Sequence, residues 1–192
     1  MKTKILTGIV IASALALGTA CTNKQGETES PVFITVNIDQ QPGFIDVGTI
    51  APVQIDSIVL NSRLKNPASP DPVGFADTQI NSYTVTFHRT DGGTLVPPTQ
   101  TFGAGILVPV DGTATLSNFP VLAASAIQGS PFDQLLPFNG GIDRETGRPE
   151  IGMTFDIIFF GTTVSGHRVQ SETASGILLF QFIGVAPARA GN

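Results

Sequence analysis

Few side chains in this sequence can attack, move a proton or bind a metal: it holds 2 histidines and 1 cysteine. Nucleophilic hydrolysis needs a Ser or Cys, a base beside it and a third group to orient the base. Only His88 and His167 could serve as that base near neutral pH, and no G-x-S-x-G elbow accompanies them. His88 falls on the polar side of an alternating segment, and His167 lies in the turn-like Gly166-His167-Arg168. Both read as solvated surface histidines. Zinc needs three or four His, Cys or carboxylate ligands, and neither H-E-x-x-H nor a paired-cysteine motif occurs. Hard oxygen ligands are more plentiful. Asp143 and Glu145, two apart in the glycine-rich run from Gly140 to Gly147, are candidate calcium ligands, as are Asp71 and Asp77 in a proline-rich loop. Arg144 stands between the first two and the EF-hand spacing is missing, so a charged surface turn is the preferred reading of that run. Scattered acids argue against glycoside hydrolysis. With 0 Trp and 1 Tyr, stacking on sugars or single-stranded nucleic acid is disfavoured. No catalytic residue and no cofactor are assigned, and the chain does not read as an enzyme.

The elements that would position these groups are strands. From Ser82 to Arg89, Tyr83, Val85 and Phe87 take one face while Ser82, Thr84, Thr86 and His88 take the other, the period of two that a half-buried strand requires. The first face, Tyr83 included, is core. Asp91-Gly92-Gly93 then supplies a turn. The same reasoning predicts strands at Val32 to Ile38, Val53 to Leu60, Gly105 to Val110, Thr113 to Phe119, Ile151 to Phe160 and Ile177 to Val185, with another around His167 to Gln170. Val121 to Gln128 is Ala-rich and predicts one or two helical turns stopped by Gly129. Seven to nine short strands separated by Pro, Gly, Asn and Asp suggest an all-β, immunoglobulin-like antiparallel sandwich, with a small barrel as the alternative. The strands Ile151 to Phe160 and Ile177 to Ile183 are apolar on both faces. They are expected to pair, with the outer face covered either by loops and the Ala-rich helix or by a protein partner. Three long loops, residues 64–78, 130–149 and 161–175, are candidate carriers of binding residues.

The amino-terminal segment has a different composition. Lys2 and Lys4 precede an uncharged apolar run, Ile5 to Leu17, too short for a confident membrane span and shaped like a secretory leader. The sequence that follows, Leu17-Gly18-Thr19-Ala20-Cys21, resembles the bacterial lipobox. The resemblance implies cleavage after residue 20 and attachment of diacylglycerol to Cys21. Each buried acyl CH₂ contributes about 0.8 kcal/mol, so two or three chains hold a small domain on a membrane. The alternative is an ordinary leader cut near Ala20, leaving a free terminal thiol. Cys21 has no intramolecular partner, which favours lipidation and leaves stability to a packed core.

These boundaries divide the chain into a signal peptide (1–20), a lipid-anchored polar tether (21–31), a single sandwich domain (32–186) and a short tail (187–192). Losing Lys2 and Lys4 leaves 8 basic against 15 acidic residues, a formal charge of about −7, so nucleic acid is not an expected partner. The expected partners are the membrane, through lipid on Cys21, and another envelope protein. Thr22, by resemblance to sorting signals in which Asp after the cysteine retains lipoproteins at the inner membrane, points to the outer membrane if the source is Gram-negative. The functional expectation is a non-catalytic envelope lipoprotein serving as a protein-binding or structural module. A small-ligand or calcium-binding lipoprotein and an enzyme of unrecognised type are the alternatives.

Overall fold

The computed structural model describes residues 30–40, 43–68 and 74–184. The signal peptide, Cys21, most of the tether, Asp71 and the 187–192 tail lie outside the described residues. Nine strands are present among those described: β1 (Val32–Gln40), β2 (Phe44–Asp46), β3 (Val53–Leu64), β4 (Thr78–Arg89), β5 (Gln100–Val108), β6 (Thr113–Leu122), β7 (Glu150–Thr163), β8 (Arg168–Gln170) and β9 (Ala174–Gln181). One short helix, α1 (Ala124–Ile127), and two 3-10 turns, Phe132–Leu135 and Pro137–Asn139, sit between β6 and β7.

The strands form two sheets, one ordered β1-β3-β6 and the other β2-β9-β7-β4-β5, with β8 paired to β7. This is an all-β sandwich with immunoglobulin connectivity. In immunoglobulin lettering β1, β3 and β6 are A, B and E, while β4, β7 and β9 are C, F and G. All pairings are antiparallel except β2 with β9, which run parallel. The chain therefore leaves the first sheet after β1 and joins the second as β2.

Alternation explains the layers. Tyr83, Val85 and Phe87 on β4 and Ile151, Met153, Phe155, Ile157 and Phe159 on β7 are buried between the sheets. Without a disulfide, aromatic rings join the sheets. The Tyr83 ring lies 5.0 Å from Phe102, 4.2 Å from Phe119 and 5.4 Å from Phe159, and its hydroxyl donates to the Pro120 carbonyl on the opposite sheet at 2.7 Å. Each such ring pair adds roughly 0.5–1.5 kcal/mol beyond the area it buries. Burial also pushes the Tyr83 phenol pKa up. Gly161 on β7 is required by close approach, because a Cβ there would strike the Gln79 backbone of β4.

Several boundaries differ from expectation. β5 begins at Gln100 rather than Gly105, because Phe102 and Ala104 continue the inward alternation between small or polar neighbours. β9 runs Ala174–Gln181 instead of beginning at Ile177. The helix makes one turn, within the one or two expected, but starts at Ala124 rather than Val121 because Val121 and Leu122 belong to β6. The covering of the apolar outer face is also partial. The segment after β6 plugs the interior instead, with the Phe132 ring tilted against Phe180 at 4.1 Å between centroids and Ile127 and Leu135 in the core. On the outer face Ile158 and Phe160 are half-buried and Ile177 is exposed.

Ser62 is the one buried side-chain polar atom without a hydrogen-bond partner among the described residues. An orphaned hydroxyl costs about 1–3 kcal/mol, and removing it removes that penalty. Ser62→Ala is expected to raise the urea midpoint, with a gain of about 1 kcal/mol at unchanged m-value. A loss of that size would mean that the hydroxyl has a partner in solution.

Candidate functional site

The end of β4 carries a charge at an inward position. Tyr83, Val85, Phe87 and Arg89 share one parity, so the strand that buries three apolar side chains also directs Arg89 inward, where 2% of its side chain is exposed. An unpaired guanidinium there would be strongly unfavourable. Three carboxylates meet it. Asp91 binds as a fork, at 2.7 Å to Nε and 2.8 Å to Nη2; Asp143 accepts from Nη2 at 2.6 Å; Glu145 lies 3.6 Å from Nη1. Nη1 also donates to the Leu95 carbonyl at 3.3 Å. Gly93 lets the chain turn over this group, since a Cβ at that position would collide with the guanidinium.

One cation does not neutralise three carboxylates, and the remaining charge is met by oriented donors. Asp143 accepts from Gln134 Nε2 at 2.8 Å, from the Thr146 hydroxyl at 2.7 Å and from the Thr146 N–H at 3.2 Å. Asp91 accepts from the Gly152 N–H at 3.0 Å and the Gly93 N–H at 3.2 Å. Glu145 accepts from the N–H groups of Thr94 and Leu95 at 2.8 and 2.9 Å and from the Thr94 hydroxyl at 2.5 Å. Burial acts to raise the pKa of Asp91, but Arg89 and these N–H groups outweigh it and hold the carboxyl at about 2. Asp143 is likewise held low: burial works against its charge, while Thr146 and Arg89 favour it. The Arg89 pKa is raised, burial being outweighed by Asp91 and Asp143.

The network fastens the loop between β4 and β5 to the loop between β6 and β7. The same two loops carry exposed apolar side chains, Leu95 and Val96 on the first and Phe138 and Ile142 on the second, with Phe138 82% exposed.

The residues singled out by the sequence divide as follows. The turn that carries Asp143 is at the surface, with Ile142, Arg144, Glu145 and Gly147 exposed, but the Asp143 side chain itself is wholly buried and its oxygens are taken by Arg89, Gln134 and Thr146; Glu145 joins the same network. Asp77 lies at the opposite end and accepts the Val110 N–H at 2.8 Å, so the structure does not bring it to Asp143. No group of three or more His, Cys, Asp or Glu is placed to hold a metal among the described residues. His88 is exposed and lies 3.3 Å from Asp156, whose other oxygen accepts from Ser175 at 2.5 Å. The carboxylate thus stands between hydroxyl and imidazole, the wrong order for activating a serine. His167 is exposed in the β7–β8 turn. Arg89 itself was the residue that motif reasoning missed, although its inward parity was the available signal. Comparison of the chain with protein-family models and with curated proteins found no match.

Removing one partner of a buried ion pair costs about 3–5 kcal/mol, because the other charge is left uncompensated. Arg89→Met is expected to lose about that much at pH 7 by urea unfolding, and less at pH 4, where Asp143 can protonate. In the wild type, Asp91 and Asp143 have folded pKa values below their unfolded ones. The stability they contribute is complete above the unfolded carboxylate value, near pH 4, and disappears as pH falls through the folded values, about 2 for Asp91 and likewise lowered for Asp143. Equal losses for Arg89→Met at both pH values would contradict this account.

Proposed function

We propose that this chain is a non-catalytic, lipid-anchored protein of the bacterial cell envelope, and that the loop end built on Arg89 holds another envelope protein. The observation that carries the reading is the pair of loops at that end, fastened from below by a buried ion network and presenting Phe138, Ile142, Leu95 and Val96 outward. A surface whose backbone is already ordered loses less conformational freedom on binding, and exposed aromatic anchors are typical centres of such contacts. The lipobox-like Leu17-Gly18-Thr19-Ala20-Cys21 supports the anchor. The order Ser175, Asp156, His88 supports the absence of serine chemistry.

Two measurements test the parts separately. Cells fed a clickable palmitate analogue are expected to label the wild-type chain in the envelope fraction and to leave Cys21→Ser unlabelled. A photocrosslinking amino acid at position 138 is expected to give a discrete adduct with one envelope protein, weakened at least about tenfold by Ile142→Asp, since a charge in an apolar contact costs more than about 1.4 kcal/mol. The same crosslinker at Thr84, on the outer sheet face, serves as the control. Matching adduct patterns at positions 138 and 84 would reject the loop end as the contact.

A further inference from the structure

The end of the sandwich opposite the Arg89 network has its own exposed apolar side chains. The described chain enters there: the Pro31 carbonyl accepts the Lys65 N–H at 2.8 Å, and β1 begins one residue later. Two loops meet beside that entry. The Val164 N–H donates to the Asp77 carbonyl at 2.8 Å and the Ser165 N–H to the Phe75 carbonyl at 3.0 Å, which joins the backbones of the loops that carry Phe75 and Val164. Their side chains are 60% and 61% exposed. On the flank of the same end Phe33 is 52% exposed, opposite Arg63 in the β1–β3 register and with Lys65 Nζ 4.9 Å over its ring. Of the acids near this end, Asp77 and Asp111 each spend a carboxylate oxygen on a backbone N–H, of Val110 and Leu64 respectively, and Glu172, whose N–H donates to the Ile34 carbonyl at 2.9 Å, is exposed.

The geometry points to this end as a second, weaker membrane contact: Phe75 and Val164 dip into the headgroup–acyl boundary while Arg63 meets lipid phosphates. The inference rests on the lipid anchor at Cys21 proposed above. Nine residue steps separate Cys21 from Ser30, and a chain of that length reaches at most about 30–32 Å. β4 has 12 residues, which makes the sandwich about 40 Å long. A tether shorter than the domain keeps the entry end near the bilayer and gives its apolar pair a high effective concentration of lipid. A Phe beside a cation suits the interface, since the ring can enter the boundary while the charge remains in water. The braced loops of the other end then face away from the anchoring membrane.

The chain's single cysteine makes the test direct. Once Cys21 is acylated, an introduced cysteine is the only free thiol. Full-length lipidated protein carrying Ser165→Cys or Arg148→Cys, labelled with an environment-sensitive fluorophore, is reconstituted into phosphatidylcholine–phosphatidylglycerol vesicles containing brominated acyl chains. The label at position 165 is expected to lose about half its emission and the label at 148 almost none. Adding Phe75→Ser and Val164→Ser, both at exposed positions, is expected to restore the emission at 165 while the protein stays on the vesicles. Vesicle-bound protein with both labels unquenched, or with only 148 quenched, overturns the contact and leaves the anchor standing. A chain that does not bind vesicles and whose Cys21 itself takes the label removes the anchor, and this contact with it.

Discussion

An arginine at a core-facing position of a strand sets the terms for one whole end of this protein. β4 buries Tyr83, Val85 and Phe87 by alternation, and the same alternation turns Arg89 inward. The chain therefore has to bring carboxylates and a covering layer to that point. Asp91 is within reach in the next turn, but Asp143 arrives from 54 residues away, which obliges the long β6–β7 segment to fold back over the strand. Gly93, Gln134, Thr146 and the Gly152 N–H then follow as requirements of that meeting, each supplying space or a donor. Because the Gly152 N–H belongs to β7, the network also fixes where that strand enters the sheet.

The sheets themselves are joined by shape rather than by a covalent link. An antibody domain packs a tryptophan of strand C against an inter-sheet disulfide. Here strand C carries Tyr83, and its neighbours are Phe102, Phe119 and Phe159. A tyrosine in that place needs a partner for its hydroxyl, and the Pro120 carbonyl on the facing sheet provides it. The ring stack excludes water from this bond, so the polar contact and the apolar cluster reinforce each other.

Much of the architecture was legible because alternation is a direct consequence of strand geometry. β3, β4 and β7 declare themselves by period-two burial. β2, at 3 residues, is too short to show a period, and its parallel place beside β9 depends on contacts distant in sequence. β5 was half hidden because Gly103 and Gly105 occupy its outward positions and small residues blur the pattern. The candidate site was legible only in part. The inward parity of Arg89 could be read from the strand, and it implied carboxylate partners. Which acids those were could not be read, because Asp143 and Glu145 look in sequence like any hydrophilic turn. The burial of Asp143 and the capture of Glu145 by the neighbouring loop are decided by the fold-back of the 123–149 segment, a tertiary event without a local signal.

Both ends of the sandwich meet the same problem, loops that must be ordered without disulfides, and both solve it with carboxylates. At one end Asp143, Asp91 and Glu145 gather backbone and side-chain donors around Arg89. At the other, Asp77 takes the Val110 N–H through its side chain and the Val164 N–H through its carbonyl, binding three loops together. A disulfide is indifferent to mild acid, whereas a carboxylate staple holds only while it is ionised. The arrangement therefore ties loop order to pH at the Arg89 end, where Asp91 and Asp143 are held ionised well below the usual carboxylate range. It also ties the exposed side chains to the staples beneath them. Phe138 and Ile142 keep their places only while the segment that carries Asp143 stays folded over Arg89, so the surface offered to a partner is as stable as the buried charges that support it.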